Sequence, residues 1–210
     1  MSEKLVPSNE LLLRIRTAFL AYGYDAMSMV TLAKACDFTR RSLYNYFSNK
    51  EEAFRTLIRF DNIEFVRNGM AAGDKVRREG GSALDIVATI LDVRYGFSRR
   101  LLAESPHATE MNAEAFRRCR DVMIDSALQF HNQLEQLLLE LERDGLLHIN
   151  PDIKSGELAR MLADGGRAIN QAMPPIESKD FTARYRAMTK AILFGCAEVP
   201  AGGRKARVKR

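Results

Sequence analysis

Apolar side chains recur along this chain at intervals of three and four residues, which is the spacing of one face of an α-helix. No segment shows the alternating polarity and the enrichment in β-branched residues that are typical of strands. The pattern therefore predicts an all-α protein. Its nine predicted helices cover residues 8–23, 29–36, 40–47, 50–68, 82–102, 106–115, 116–143, 153–173 and 179–197.

The predicted helices fall into two groups. Glycines and prolines explain the breaks between them, because glycine favours helix ends and proline cannot continue a helix. The first three helices are short and closely connected, whereas the later ones are long. We therefore expect a helix-turn-helix domain over residues 1–50 and a larger helical domain over residues 51–200.

The net charge of +5 comes from the end of the chain. Residues 201–210 hold five Lys or Arg and no acid, so residues 1–200 hold 27 basic and 27 acidic residues. We expect the tail to be disordered, with a nonspecific attraction to phosphate as the alternative. Residues 1–60 carry nine basic and six acidic residues, an excess that matters if it lies on one face.

Composition also bears on the compartment. The three cysteines stand far apart and are odd in number, which argues against a disulfide framework and favours a reducing environment. The N-terminal segment lacks the apolar run of a signal peptide, and no window approaches the roughly 18 apolar residues of a membrane span. We expect a cytoplasmic protein without a membrane segment.

The stretch from residue 28 to residue 47 predicts two helices joined by a tight turn. Ser28 precedes the first helix and Thr39 precedes the second, and both residue types are good helix N-caps. Asp37 falls where the chain must turn, and aspartate tolerates the left-handed backbone region better than most residues. The product is a helix, a tight turn and a second helix.

The second of these helices divides its side chains between two tasks. Leu43 and Phe47 are four residues apart, so they share one face and predict inward anchors. Arg40 and Arg41 then point elsewhere from the first turn, which is where the second helix of a helix-turn-helix protein meets base edges. Arginine can bind guanine there with two hydrogen bonds. The hydroxyls of Ser42, Tyr44 and Tyr46 and the charge of Lys50 are suited to phosphates.

A solvated basic surface helix is the alternative interpretation. For Arg40 and Arg41 alone it is the better one, since arginines are common on surfaces. The caps, the turn and the anchors are nevertheless in register with the two arginines. Together these features favour DNA binding over a solvated surface helix.

These motifs resemble the DNA-binding domain of the tetracycline-repressor (TetR/AcrR) family, over residues 12–57. The resemblance is carried by Gly23-Tyr24, Ser28, Leu32-Ala33, Cys36-Asp37-Phe38-Thr39, Leu43-Tyr44-Asn45-Tyr46-Phe47 and Lys50-Glu51. Two positions depart from the family pattern: Asp37 replaces the turn glycine, and Arg41 replaces a small residue. The second departure enlarges the base-facing surface, so the operator of a relative cannot be transferred.

The resemblance implies partners and site residues. Members of this family bind double-stranded operators as homodimers, with the last two long helices at the interface and an effector pocket among the middle helices. By resemblance, Thr39, Tyr44, Tyr46 and Lys50 contact phosphates, while Arg40, Arg41 and Asn45 are candidate base readers. The full set expected at DNA is Ser28, Thr39, Arg40, Arg41, Ser42, Tyr44, Asn45, Tyr46 and Lys50.

The last two long helices have the apolar stripes that a dimer would need. They are formed by Phe181, Tyr185, Met188 and Ile192 in one helix and by Leu158, Met161, Leu162, Gly165 and Ile169 in the other. Packing within the chain would produce the same periodicity. The resemblance favours dimerisation.

Arg94 marks a candidate effector pocket because it falls within the apolar arc of its predicted helix. A buried charge is costly unless it is paired. Either an internal acid neutralises Arg94, which is the favoured interpretation, or the residue awaits an anionic or carbonyl-bearing ligand. The candidate pocket comprises Arg94, Phe97, Ser98, Met123, Ser126, Phe130 and His131.

Taken together, the sequence predicts a ligand-responsive transcriptional regulator that is a repressor and needs no cofactor or metal. The alternative is a helical ligand-binding or metal-dependent enzyme domain whose N-terminal module contacts another protein. His107 lies near Glu104 and Glu110, but Pro106 interrupts the helical spacing on one side. The chain has no phosphate-binding loop, nucleophile elbow or HExxH motif.

Overall fold

The computed structural model describes residues 4–174 and 176–195, and these residues form helices and no strands. The helices are α1 (Asn9–Tyr22), α2 (Met29–Ala35), α3 (Arg40–Tyr44), α4 (Lys50–Arg78), α5 (Ala83–Leu91), α6 (Phe97–Ala103), α7 (Ala108–Arg118), α8 (Arg120–Arg143), α9 (Ser155–Asn170) and α10 (Phe181–Phe194). A π-helical turn, Asp92–Gly96, joins α5 to α6 without a break. The all-α prediction is confirmed. No described helix is both long and apolar enough to cross a membrane. The predicted basic tail lies outside the described residues.

Two hydrophobic cores organise the helices. The first combines α1, α2, α3 and the start of α4 with Met111, Ala115, Cys119 and Val122 from the region of α7 and α8. The second lies among the rest of α4, α5, α8, α9 and α10. The N-terminal helices therefore share their core with the helical body.

Helix α4 is ten residues longer than predicted, because it continues through two glycines. Gly69 and Gly73 are buried where α4 packs against α5. A Cβ atom on Gly73 would lie 2.4 Å from Ile90 Cγ1, and one on Gly69 would lie 3.0 Å from the Ile90 carbonyl oxygen. The prediction that this glycine-rich stretch ends the helix was wrong, since these glycines allow close packing of two helices.

Other helix ends also differ from the prediction. Helix α3 ends at Tyr44 rather than at residue 47, although Phe47 remains buried. The division between α7 and α8 falls at Cys119, whose backbone leaves the helical region at φ −122° and ψ 25°. Residues 116–118 consequently belong to α7.

The apolar stripes of the last two long helices pack within the chain. Phe181 and Tyr185 are fully buried in the second core. A Cβ atom on Gly165 would lie 2.7 Å from Met188 Sδ of the same chain, and one on Gly166 would lie 2.8 Å from the Tyr95 ring. Most members of these stripes belong to the internal core, so packing within the chain, the alternative left open by the sequence, accounts for their periodicity. The dimer through these helices stays a prediction.

We predict that Gly73→Val lowers the free energy of unfolding by about 2 kcal/mol, since an added side chain in a close-packed contact forces its neighbours apart. Urea denaturation measures the change. Ala71→Val introduces the same side chain at an exposed position of α4 and is the matched control, with an expected change within about 0.5 kcal/mol. Equal effects of the two substitutions would contradict the packing role of Gly73.

Candidate functional site

The caps and the turn predicted between α2 and α3 are confirmed. Ser28 Oγ accepts a hydrogen bond from the Thr31 amide at 3.1 Å, and Thr39 Oγ1 accepts one from the Ser42 amide at 3.0 Å. Asp37 adopts the left-handed conformation, with φ 58°. The backbone therefore forms the helix, turn and helix that the residue types require.

The second helix of this motif is held from its inner side. Leu43 and Phe47 are fully buried, and the Phe38 ring packs edge-on against Tyr46 with centroids 5.9 Å apart. Arg14 of α1 donates a hydrogen bond to the Cys36 carbonyl at 3.1 Å, which ties the turn to the first helix. These contacts fix the orientation of α3 and leave its other face outward.

The outward face of α3 is basic. Arg40, Arg41 and Asn45 are exposed, and the Arg40 guanidinium lies 5.5 Å from the centroid of the Tyr44 ring. Of the other residues expected at DNA, Ser28 and Thr39 are exposed, whereas Ser42, Tyr44, Tyr46 and Lys50 are half-buried. The structure thus brings the proposed base readers together at the start and end of one short helix.

Lys50 is engaged within the protein. Its ammonium group donates to the carbonyls of Tyr24 at 2.9 Å and Asp25 at 3.2 Å, and it lies 4.5 Å from the Tyr24 ring centroid. These contacts join the start of α4 to the loop after α1. Lys50 accordingly has a positioning role besides the phosphate contact expected from the sequence.

One basic residue beside α3 was missed. Lys4 Nζ donates to the Tyr44 carbonyl at 2.5 Å, and the Leu5 amide donates to the Asn45 carbonyl at 2.9 Å. The chain before α1 therefore lies along the end of α3 and adds a cation there. No helical periodicity in this segment could have predicted the contact.

A comparison with known families identifies this motif. Residues 11–57 match the family model for bacterial regulatory proteins of the tetR family. The N-terminal domain belongs to the tetR family. The matched span covers α1, α2, α3 and the start of α4, which are the helices that build the first core.

Solved structures resemble the whole chain. GusR from Salmonella enterica matches with a TM-score of 0.63 and 20% identity, over 91% of this chain and 99% of that one. PfmR from Thermus thermophilus, a TetR-family transcriptional regulator, matches with a TM-score of 0.59 and 18% identity, over 91% of this chain and 100% of that one. FadR from Bacillus subtilis, in complex with stearoyl-CoA, matches with a TM-score of 0.61 and 14% identity, over 90% of this chain and 98% of that one. No curated protein sequence matches the chain significantly. The chain has the fold of TetR-family regulators.

A cavity of about 410 Å³ lies between the tetR-family domain and the helical body. Its wall draws on α1, α4, the π-helical turn, α6, α7, α8 and the end of α9. Its polar side chains are Arg16, Asp61, Asn62, Arg94, Ser98, Arg99, Asn112, Arg120, Arg167, Asn170 and Gln171. Most of the remaining wall is apolar, so the cavity is suited to a small molecule with a hydrophobic body.

The predicted pocket residues are divided between the cavity and its surroundings. Arg94, Ser98 and Met123 line the cavity. The other four, Phe97, Ser126, Phe130 and His131, do not line it. Phe97 is 43% exposed and packs against Phe65, with ring centroids 5.5 Å apart.

Arg94 is buried without an acidic partner. Its side chain is 6% exposed, and no carboxylate of the described residues lies within ion-pairing distance. Its guanidinium carbon lies 4.0 Å from the Phe130 ring centroid and 4.8 Å from that of Tyr95. Burial lowers the pKa of Arg94. The favoured interpretation from the sequence, an internal ion pair, was therefore wrong.

A second arginine in the cavity wall is half-buried and paired. Arg16 of α1 contacts Asp61 of α4 through Nη2 at 2.5 Å and Nε at 3.0 Å. Burial raises the pKa of Asp61 to about 6, although the hydrogen bonds and charge of Arg16 act in the opposite direction. The pair joins the tetR-family domain to the body. It was missed because helical periodicity does not reveal a contact between residues 45 positions apart.

Further polar contacts cross the same boundary. Glu110 of α7 accepts a hydrogen bond from the Asp25 amide at 2.7 Å and contacts His107 Nδ1 at 3.1 Å. Ser105 Oγ donates to the Leu20 carbonyl at 2.6 Å. Glu110, with His107 beside it, thus holds the loop between α1 and α2. Within the described residues, no group of three or more His, Cys, Asp or Glu side chains could hold a metal ion.

We predict that Arg16→Met destabilises the protein in a pH-dependent way. The substitution removes the interactions that lower the Asp61 pKa, so an unpaired carboxylate stays buried at pH 7.5. We expect the free energy of unfolding to fall by about 3 kcal/mol at pH 7.5. Because a raised carboxyl pKa favours folding below that pKa and opposes it above, the loss should shrink at pH 5. Urea denaturation at both pH values measures it.

The matched control replaces the carboxylate as well. In Arg16→Met/Asp61→Asn the group that titrates is absent, so the free energy of unfolding of this variant should change less between pH 5 and pH 7.5 than that of Arg16→Met. An equal loss for Arg16→Met at pH 5 and pH 7.5 would show that Asp61 is not the group that the arginine stabilises.

Proposed function

We propose that this protein is a transcriptional repressor that binds a palindromic duplex operator as a homodimer and releases it when a small molecule occupies the cavity. Such a protein acts in the cytoplasm, where bacterial DNA lies. The observation that carries the proposal is the exposure of Arg40 and Arg41 on the first turn of α3, while Leu43 and Phe47 of the same segment are buried. The family match over residues 11–57 supports it.

The basic face of α3 is suited to reading bases. Helix α3 has five residues, so its first turn is the part that can enter the major groove. Each arginine there can donate two hydrogen bonds to the O6 and N7 atoms of guanine. Tyr44, Lys4 and the exposed Asn45 flank this turn and are placed to contact the backbone or a neighbouring base.

The position of the cavity supports the proposed connection between effector binding and DNA release. Residues of α1 and α4 form part of its wall, and both helices also belong to the core of the tetR-family domain. A molecule that binds one arrangement of these helices more tightly shifts the protein towards that arrangement. The stearoyl-CoA complex of the Bacillus subtilis protein supports ligand binding in this fold.

The exposed faces of α9 and α10 support a dimer. Met161 and Ala168 are exposed on α9, and Ala187 and Phe194 are exposed on α10, where Phe194 is 58% accessible. The two residues of each pair lie seven positions apart in their helix, so each pair shares a face. Small and apolar exposed side chains allow two helix pairs to pack closely. The proposed partner of this surface is a second copy of the chain.

We predict that the protein enriches a symmetric sequence from a random duplex library at near-physiological salt, and that Arg40→Ala/Arg41→Ala loses this preference. Each arginine that contacts a guanine should contribute about 1–3 kcal/mol of discrimination. Competition binding with the enriched and a scrambled duplex, at one stated salt concentration, measures it.

Arg78→Ala/Arg143→Ala is the matched control, because it removes two exposed charges from α4 and α8 in the body of the protein. It should retain the preference. An unchanged ratio of specific to nonspecific affinity in the Arg40→Ala/Arg41→Ala variant would contradict the assignment of α3 as the reading helix.

We predict that Ala187→Glu raises the dimer dissociation constant at least about tenfold, because the interface would bury an unpaired carboxylate. Sedimentation equilibrium measures it. Ala113→Glu, at an exposed position of α7, is the control and should leave the association unchanged. A dimer that resists Ala187→Glu would contradict an interface through the centre of α10.

A further inference from the structure

The π-helical turn places two unsatisfied polar groups beside the cavity. Arg94 and Tyr95 are consecutive residues of this turn, and both line the cavity. Arg94 Nε and the Tyr95 hydroxyl oxygen are buried and have no hydrogen-bond partner among the described residues. Buried polar groups in native proteins are nearly always satisfied, and π-helical turns occur often at functional sites. The site therefore lacks an acceptor for at least one N–H group.

Arg16 and Arg94, which both line the cavity, differ in how their charge is balanced. Arg16 is paired with Asp61, whereas Arg94 has no ion-pair partner among the residues that the structure describes. A guanidinium group stays charged in proteins, so it cannot relieve the cost of burial by losing a proton. Contact with Arg94 would therefore contribute more to the binding of an anion than contact with Arg16.

The number of uncompensated charges limits the charge of the ligand. Arg167 also lines the cavity, but its guanidinium lies 3.4 Å from Asp164 of the same helix. Arg99 and Arg120 also line the cavity and have no ion-pair partner among the described residues, but Arg99 is half-buried and Arg120 is exposed, so water can solvate their charges. Arg94 is thus the one buried cation of the described cavity wall, and it matches one negative charge. A carboxylate offers two coplanar oxygens to a guanidinium, which permits two parallel hydrogen bonds.

The rest of the wall specifies an apolar body. Phe65, Leu102, Met111, Phe116 and Ile124 contribute hydrophobic surface from four helices. A volume of about 410 Å³ is within the range of pockets that hold small organic molecules. A buried cation together with apolar surface in the cavity wall matches an amphiphilic acid, which has one negative charge and an apolar body.

We propose that the cavity binds a mainly apolar molecule with one carboxylate, and that Arg94 holds this carboxylate while the Tyr95 hydroxyl is available as a further donor. This inference rests on the proposed function, because it names the chemical class of the effector. It does not require the effector to control DNA binding.

Isothermal titration calorimetry on the full chain tests the proposal with matched probes. The probes are hexanoate and decanoate, the corresponding amides, and decyl phosphate. We expect at least one carboxylate to bind at least about tenfold more tightly than its amide. Arg94→Met should remove this preference, whereas Arg120→Met, which removes another cavity arginine from a more exposed position, should retain it.

The outcomes separate the alternatives. No binding of either carboxylate, equal affinity for acid and amide, a preference for the phosphate, or loss of the preference in Arg120→Met alone would each overturn the proposal. If Arg94→Met does not fold, as judged by circular dichroism, the comparison of acid with amide on the wild type decides, together with Arg94→Lys. That variant keeps the charge but loses the planar fork, so it should bind the carboxylate more weakly than wild type.

The calorimetry is independent of DNA. A protein that prefers the carboxylate but enriches no duplex would retain the present inference and lose the proposed function. A protein that enriches a symmetric operator but does not distinguish acid from amide would do the reverse.

Discussion

Helix α4 is buried in both hydrophobic cores, and this constraint determines how the two parts of the molecule are joined. Ala53, Phe54 and Leu57 near its start belong to the core of the tetR-family domain, while Val66 belongs to the core of the body. Packed helices move as rigid units because protein interiors leave few voids. A displacement of α4 in the body is therefore transmitted to the helices that carry the basic face.

The cavity lies beside the middle of this shared helix, where apolar packing is replaced by the Arg16–Asp61 pair. A buried ion pair contributes little net stability compared with apolar side chains, but it has strict requirements for geometry. A ligand that shifts either partner changes the cost of keeping α1 and α4 together. In the proposed function, this dependence on geometry makes the boundary between the two domains responsive to what occupies the cavity.

The sequence predicted the parts of the structure that depend on neighbours along the chain. The caps at Ser28 and Thr39, the turn at Asp37 and the buried anchor Leu43 follow from local chemistry and helical spacing, and all four are confirmed. The end of α4 was missed because the sequence alone does not distinguish a glycine that ends a helix from one that allows a second helix to pack closely.

The cavity was only partly predictable for a related reason. Arg94 could be recognised because its charge interrupts an apolar face, but the same argument could not say which helix faces it. Phe130 and Ser126 have the periodicity of a pocket wall, but both are buried and do not line the cavity. The acidic partner of Arg16 and the missing partner of Arg94 both depend on contacts between distant parts of the chain.

The difference between these two arginines has an energetic consequence for the free protein. A buried guanidinium without a counter-charge destabilises the state that contains it, so an anion that binds Arg94 stabilises the body as well as occupying the cavity. The binding free energy then includes the removal of the destabilisation that the unpaired guanidinium causes in the unliganded protein. Since the π-helical turn that carries Arg94 also packs against α4, that relief acts on the helix shared by both cores.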